Sequence, residues 1–298
     1  MRGYAGRVPL HRIEALPDDL AAPVMVAAFD GWVDAASAAS ATAEHLARGG
    51  DLIATFDADV LYDYRSRRPV LDIIDGTLTR LVWPSLELHR IHAGGRDLLI
   101  LHGAQPDFRW RELGEEILAL ALQLRVVEWV SLGAIPAAVP HTQAVSVLAS
   151  ASGDGLLHEA ETKGPPGLLR VPSACLSAVE LAVSGSGIPA VGFYAQVPHY
   201  VGGPFAAATL SLVRHLGRHL NVELPLGSIE EDAEAQRRRL DAAVEADEDV
   251  REILQRLQRA AADEEIPSGE ELAAEIERFL RTEGGTAGGG PGGTIPPA

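Results

Sequence analysis

Apolar residues recur along this chain in two alternating periods. Residues 24–29, Val-Met-Val-Ala-Ala-Phe, are wholly apolar and bounded by Pro23 and Asp30-Gly31, as a strand covered on both faces should be. The Ala-rich stretch that follows predicts a helix over 34–48, stopped by Gly49-Gly50. Residues 52–56 predict a second strand, 86–92 alternate apolar with polar, and 97–102 are apolar again after Gly94-Gly95. The last two runs therefore predict a hairpin. Helical spacing over 109–124 gives way to strands over 126–132 and 143–150; 173–183 is helical, 190–195 a strand, and 205–220 a helix with Pro204 in its first turn. Strands alternating with helices predict an α/β fold with a largely parallel, helix-covered sheet.

After Pro225 the pattern changes. Residues 228–283 carry eighteen Asp and Glu against eight Arg and no strand signal. Leu240, Val244, Ile253, Leu254 and Leu257 fall at helical spacing, and Ser268 with Glu271 forms a capping-box pattern ahead of Leu272, Ile276 and Phe279. Two or three amphipathic helices are expected, packed on their own core or on a neighbouring subunit. The expected division is a core domain over 1–227, an acidic helical subdomain over 228–283, and a disordered Gly/Pro tail over 284–298.

Charge and composition narrow the function classes. The 298 residues carry a formal charge of −17, which repels phosphate backbones and anionic lipid surfaces, so neither nucleic acid nor membrane is an expected partner. Charged residues interrupt the first twenty positions and every long apolar run, so neither a signal peptide nor a membrane span is expected. Cys175 is the only cysteine, which excludes an intrachain disulfide and a thiolate zinc cluster and suits the reducing cytoplasm. Lys163, the only lysine, stands in Thr162-Lys163-Gly164-Pro165, so there is no P-loop. No G-x-G-x-x-G follows a strand, and neither G-x-S-x-G nor H-E-x-x-H occurs. No cofactor and no metal are expected.

Four loops leave the carboxyl ends of predicted strands, where ligands gather in open α/β sheets. They carry Asp30-Gly31-Trp32-Val33-Asp34, His102-Gly103 through Asp107 to Trp110, Pro140-His141-Thr142, and Pro198-His199-Tyr200. Facing one cleft, Asp30, Asp107, His141 and His199 would supply carboxylate and imidazole for acid/base work or a metal. The same groups suit structural duty: Asp30, Asp34 and Asp107 stand where a helix wants an N-cap, and a histidine after proline bonds backbone carbonyls. Gly31 and Gly103 suit tight turns as well as close approach to a ligand. Arg65, Arg67 and Arg68 lie on one predicted loop, available to a phosphate, a partner's carboxylates, or the chain's own acids. Trp32 and Trp110 read as core or interface anchors.

At these same loops the chain resembles the proteasome assembly chaperone 2-like proteins, in their actinobacterial branch. The matching segments are Ala28-Phe29-Asp30-Gly31-Trp32 with Asp34-Ala35-Ala36, the Tyr64-Arg65 to Pro69 loop, His102-Gly103 with Pro106-Asp107 and Trp110, Pro140-His141-Thr142, and Pro198-His199-Tyr200. The resemblance implies a three-layer α/β/α core similar to nucleoside phosphorylase and hydrolase folds, cytoplasmic location, and self-assembly into rings or trimers. Archaeal and eukaryotic relatives bind proteasome subunits, often through a C-terminal hydrophobic-Tyr-any tail. This chain ends Thr294-Ile295-Pro296-Pro297-Ala298, without that docking tail. The expected function is thus a noncatalytic, oligomeric protein-interaction or assembly-chaperone-like role, with a proteasome-like complex as a further partner. The alternative is a small-ligand enzyme, hydrolase or phosphorylase-like, with its cleft at the strand ends.

Overall fold

The apolar run after Pro23 forms a strand, Val24–Phe29, in which every residue is buried. The computed structural model describes residues 9–262. Around that strand, β2, a nine-stranded sheet forms from β1 (His11–Ile13), β3 (Asp51–Phe56), β6 (Leu86–Ala93), β7 (Arg96–Gly103), β8 (Glu128–Ala137), β9 (Val147–Ala151), β10 (Thr162–Lys163) and β11 (Ala190–Pro198). Their order is β1-β3-β6-β7-β2-β8-β11-β9-β10. The four strands β7, β2, β8 and β11 run parallel. Antiparallel strands extend this centre, through β6, β3 and β1 on one side and β9 on the other.

Helices cover both faces, giving the three layers. On one face α1 (Ala38–Ala47) and α5 (Ala206–Leu220) pack on Val26, Ile100, Val130 and Phe193. Ala38, Ala39, Ala43 and Ala47 of α1 are buried, and such small side chains let a helix lie close to the strands. On the other face the short α2 (Ala58–Leu61), α3 (Trp110–Gln123) and α4 (Cys175–Ser184) cover Met25, Leu99, Leu101 and Trp129. Alternate residues of β2 thus serve opposite cores, as the two-residue period of a strand requires. Gly103 closes β7 at φ 142°, where an added Cβ would stand 2.1 Å from the Ser85 carbonyl oxygen; only glycine lets β6 begin so near the end of β7.

The acidic segment forms α6 (Ile229–Ala246) and α7 (Glu248–Ala262). Ile229 and Ala233 of α6 are buried, and Gln236 grips the start of α5, accepting from Ala206 N–H at 2.9 Å and donating to Pro204 O at 2.6 Å. α6 therefore packs on the sheet's own helical layer. The helix expected after Ser268 and the tail at 284–298 lie outside the described residues.

Three expectations need correction. The strands over 126–132 and 190–195 continue to Ala137 and Pro198, because β8 and β11 pair residue by residue through Gly133 and Pro136, which read as loop in the sequence. The strand over 143–150 is shifted to Val147–Ala151. Pro204 precedes the extended N-cap residue Phe205, so it lies outside the first turn of α5. The structure also adds a hairpin between Pro69 and Leu86, β4 (Val70–Ile74) and β5 (Thr77–Val82), joined at Asp75-Gly76 with both residues at positive φ. Every residue of both strands is exposed; with no buried face there is little reason for clean apolar–polar alternation.

Candidate functional site

The chain leaves β2 with its Asp30 N–H bonded to Gly103 O at 3.0 Å. The Asp30 carboxylate accepts from Gln105 N–H at 2.8 Å and pairs with Arg67 Nη1 at 2.7 Å. Asp107 accepts from Asp63 N–H at 2.8 Å, while its own N–H donates to Leu61 O at 2.9 Å. Asp63 in turn accepts from Arg65 N–H at 3.0 Å; that backbone bond, with the Arg65 side chain, lowers the Asp63 pKa. The two carboxylates thus fasten the arginine loop to the end of the sheet. Arg67 Nε is buried and without a partner among the described residues, and Arg68 is exposed. Trp110 donates from its indole to Pro106 O at 2.6 Å, one turn back.

Asp34 is buried at the start of α1, where it accepts from Ala39 N–H at 2.8 Å, Ser40 N–H at 3.1 Å and Ser40 Oγ at 2.5 Å. Burial raises its pKa, against the lowering effect of these donors. Ala36 and Ser37 just before the helix both adopt left-handed φ, at 53° and 52°, a conformation that costs non-glycine residues energy and that the surrounding bonds must hold. Gly31 turns the chain at φ 102°. Trp32 follows, its indole donating to Pro172 O at 3.1 Å, over a cavity of about 380 Å³. Ile135, Leu148, Val171, Tyr194 and Ser177 are among its walls. Tyr194 lies across its strand partner Gly133, where a Cβ would approach the ring to 2.5 Å. Trp129 donates to Ser131 Oγ at 2.8 Å, and Ser131 donates to Glu180 at 2.6 Å; burial raises the Glu180 pKa. The only sequence signal for that relay is the two-residue spacing of Trp129 and Ser131.

His141, with a fully buried side chain, sits in a third place. Tyr200 OH lies 2.7 Å from both its N–H and its Nδ1, and Asp241 of α6 lies 3.1 Å from its Nε2. A tyrosyl O–H donating to Nδ1 and Nε2–H donating to Asp241 satisfies both ring nitrogens. Thr142 accepts from Gln258 of α7 at 3.0 Å. His199 is exposed, its Nδ1 3.3 Å from Ala137 O and its ring edge-on to Tyr200 at 5.6 Å. The structure therefore brings Asp30 and Asp107 together at the arginine loop, and His141, Thr142 and Tyr200 together against α6 and α7, with His199 beside Tyr200. His141 is engaged by Tyr200 and Asp241 rather than by either carboxylate, and none of Asp30, Asp107, His141 and His199 lines the cavity under Trp32. The one cleft that the enzyme alternative asks of these four residues is divided between separate clusters.

A mixed sheet with a parallel centre, two helical layers and strand-end loops locked by their own polar groups defines a three-layer α/β/α protein. The chain belongs to the PAC2 family, whose sequence profile matches residues 28–244, a span that reaches into α6. A PAC2 family protein from Streptomyces avermitilis is 36% identical, with a TM-score of 0.69 over 78% of this chain and 99% of its own. A Mycobacterium tuberculosis protein described as a proteasome-assembly chaperone homologue is 34% identical, with a TM-score of 0.70 over the same shares. A second M. tuberculosis protein, of unknown function, is 28% identical with a TM-score of 0.83, covering 93% of this chain and 99% of its own. No curated protein matches the chain.

Proposed function

We propose that this chain is a noncatalytic, assembly-chaperone-like protein of the cytoplasm that works as a homo-oligomer, three copies being the favoured number. The observation that carries this reading is the hairpin β4–β5. Its aliphatic side chains, among them Val70, Ile73, Ile74 and Leu78, are 38–68% exposed, and Trp83 at its base packs edge-on to Tyr64 at 4.8 Å. Exposed aliphatic side chains gathered on one hairpin mark an interaction site, and a lone two-stranded hairpin is marginal in water. A second copy is the occupant favoured by charge: the hairpin carries only Asp72, Asp75 and Arg80, so it is nearly neutral in a chain of −17 and is where like copies repel least. Internal bonding of Asp30, Asp107 and His141 supports a role without catalysis. The description of the 34% identical relative makes proteasome-type subunits the further partner class to test. Among the described residues no helix is long and apolar enough to cross a membrane.

Light scattering on the full chain at micromolar concentration tests the reading. The expected mass is that of three 31.6 kDa chains, with Ile73→Asp/Leu78→Asp falling to one. A monomeric wild type would sink the proposal, and an unchanged oligomer in the double variant would remove the hairpin from it. A second reading, a small-ligand enzyme of hydrolase or phosphorylase type, has the cavity of about 380 Å³ under Trp32 in its favour. Its polar lining includes Tyr194, Ser150, Ser173 and Ser177, while the acid/base candidates lie elsewhere, so the cavity favours binding over turnover.

A further inference from the structure

The antiparallel pairing of β6 with β7 gathers three metal-binding side chains. Glu87 and His89 stand two residues apart on β6, so they project from one face of the sheet. His102 is the direct partner of Glu87 across the pair and projects from that same face. One ligand atom from each of the three lies within 4.8 Å of the others, and the two imidazole centroids are 5.1 Å apart. The cluster stands at the C-terminal end of β7, the end of an α/β sheet where ligands bind.

Two polar atoms there are unanswered. His89 Nε2 lies 3.0 Å from Glu87 Oε2, but His89 Nδ1 and His102 Nε2 are buried with no hydrogen-bond partner among the described residues. An ionised carboxylate only accepts, so His89 carries its proton on Nε2 in this arrangement; with the proton moved to the unpartnered Nδ1, the Nε2 lone pair and the Glu87 carboxylate, 3.0 Å apart, stand side by side as two donors.

We infer that Glu87, His89 and His102 form a binding site for one divalent transition-metal ion of the zinc, cobalt or nickel type. Two imidazoles and a carboxylate are the donor set such ions take, with positions left open for water or for a donor from a partner protein. Magnesium and calcium prefer oxygen alone and are poorly served here. The other histidine cluster, His158, Glu161 and His219, differs in kind: both ring nitrogens of His219 already face carboxylates at 2.8 Å, the arrangement of a charged imidazolium.

Zinc counting on tag-free full chain, stripped with chelator and dialysed against Zn²⁺, tests the site. One zinc per chain is expected, kept by His158→Ala and lost from His89→Ala/His102→Ala, with circular dichroism checking that each variant folds. Should the double variant fail to fold, Glu87→Gln is read instead, with zinc affinity expected to fall at least about tenfold. Co²⁺ added to wild type is expected to develop visible ligand-field absorption that saturates at one equivalent. A wild type that retains no zinc, a folded double variant that retains it in full, or an unchanged affinity in Glu87→Gln would each overturn the assignment.

Discussion

His219 shows how the polar interior of this protein is balanced. Burial alone would lower its pKa, yet Glu128 and Glu161, each 2.8 Å from a ring nitrogen, more than offset that and raise it. Also near it are His158, whose ring stacks at 5.0 Å, and His215, one turn back on its own helix. A raised folded pKa means that the stabilisation is fully present below the unfolded value of about 6.5 and is lost as pH rises through the folded value. His219→Gln should therefore cost about 1.5–3 kcal/mol at about pH 6 and distinctly less near pH 9, read by urea unfolding at both. His215, whose pKa burial lowers, remains in both proteins and largely cancels in the difference. An equal loss at the two pH values would mean that the ring acts by packing alone.

Among the elements, the attachment of α6 rests on a buried histidine that the sequence offered as an acid/base group only under the enzyme alternative. Removing the ring in His141→Ala leaves Tyr200 OH and Asp241 without it, a loss of about 1–3 kcal/mol confined to that contact. Amides of Ile229–Ala246 should then exchange with deuterium about 10- to 100-fold faster, while those of β2 and β8 hold. Unchanged exchange in α6 would show that Gln236 and the apolar contacts suffice. The chain order made β2, the β6–β7 hairpin and α3 legible, because each has a core to face: an unbroken apolar run for the doubly covered β2, alternation for β6, and helical spacing for α3. It concealed the far ends of β8 and β11, where Gly133 and Pro136 signal turns locally but a parallel partner overrides them. The loops that carry Asp30, Asp107, His141 and His199 were legible as strand ends. Their partners were not, since Arg67, Asp241 and Asp63 come together with them only through the tertiary fold.

Over the whole molecule the charge of −17 opposes any association of identical copies, and salt screens that repulsion over a Debye length of about 30 Å at 0.01 M and about 8 Å at 0.15 M. An assembly held by the apolar hairpin should therefore dissociate at lower dilution in about 10 mM salt than in about 150 mM. Analytical ultracentrifugation across that range reads the difference, and tighter association at low salt would point to ion pairs as the joining contacts instead. The hairpin has one more consequence. Its two strands have each other and an exposed surface on either face, so the free chain supplies little to hold them in register. If copies join there, the ordering of Val70–Ile74 and Thr77–Val82 belongs to the assembly more than to the subunit: folding of this arm becomes a concentration-dependent event, and the entropy of ordering it becomes the term that keeps the subunits exchangeable.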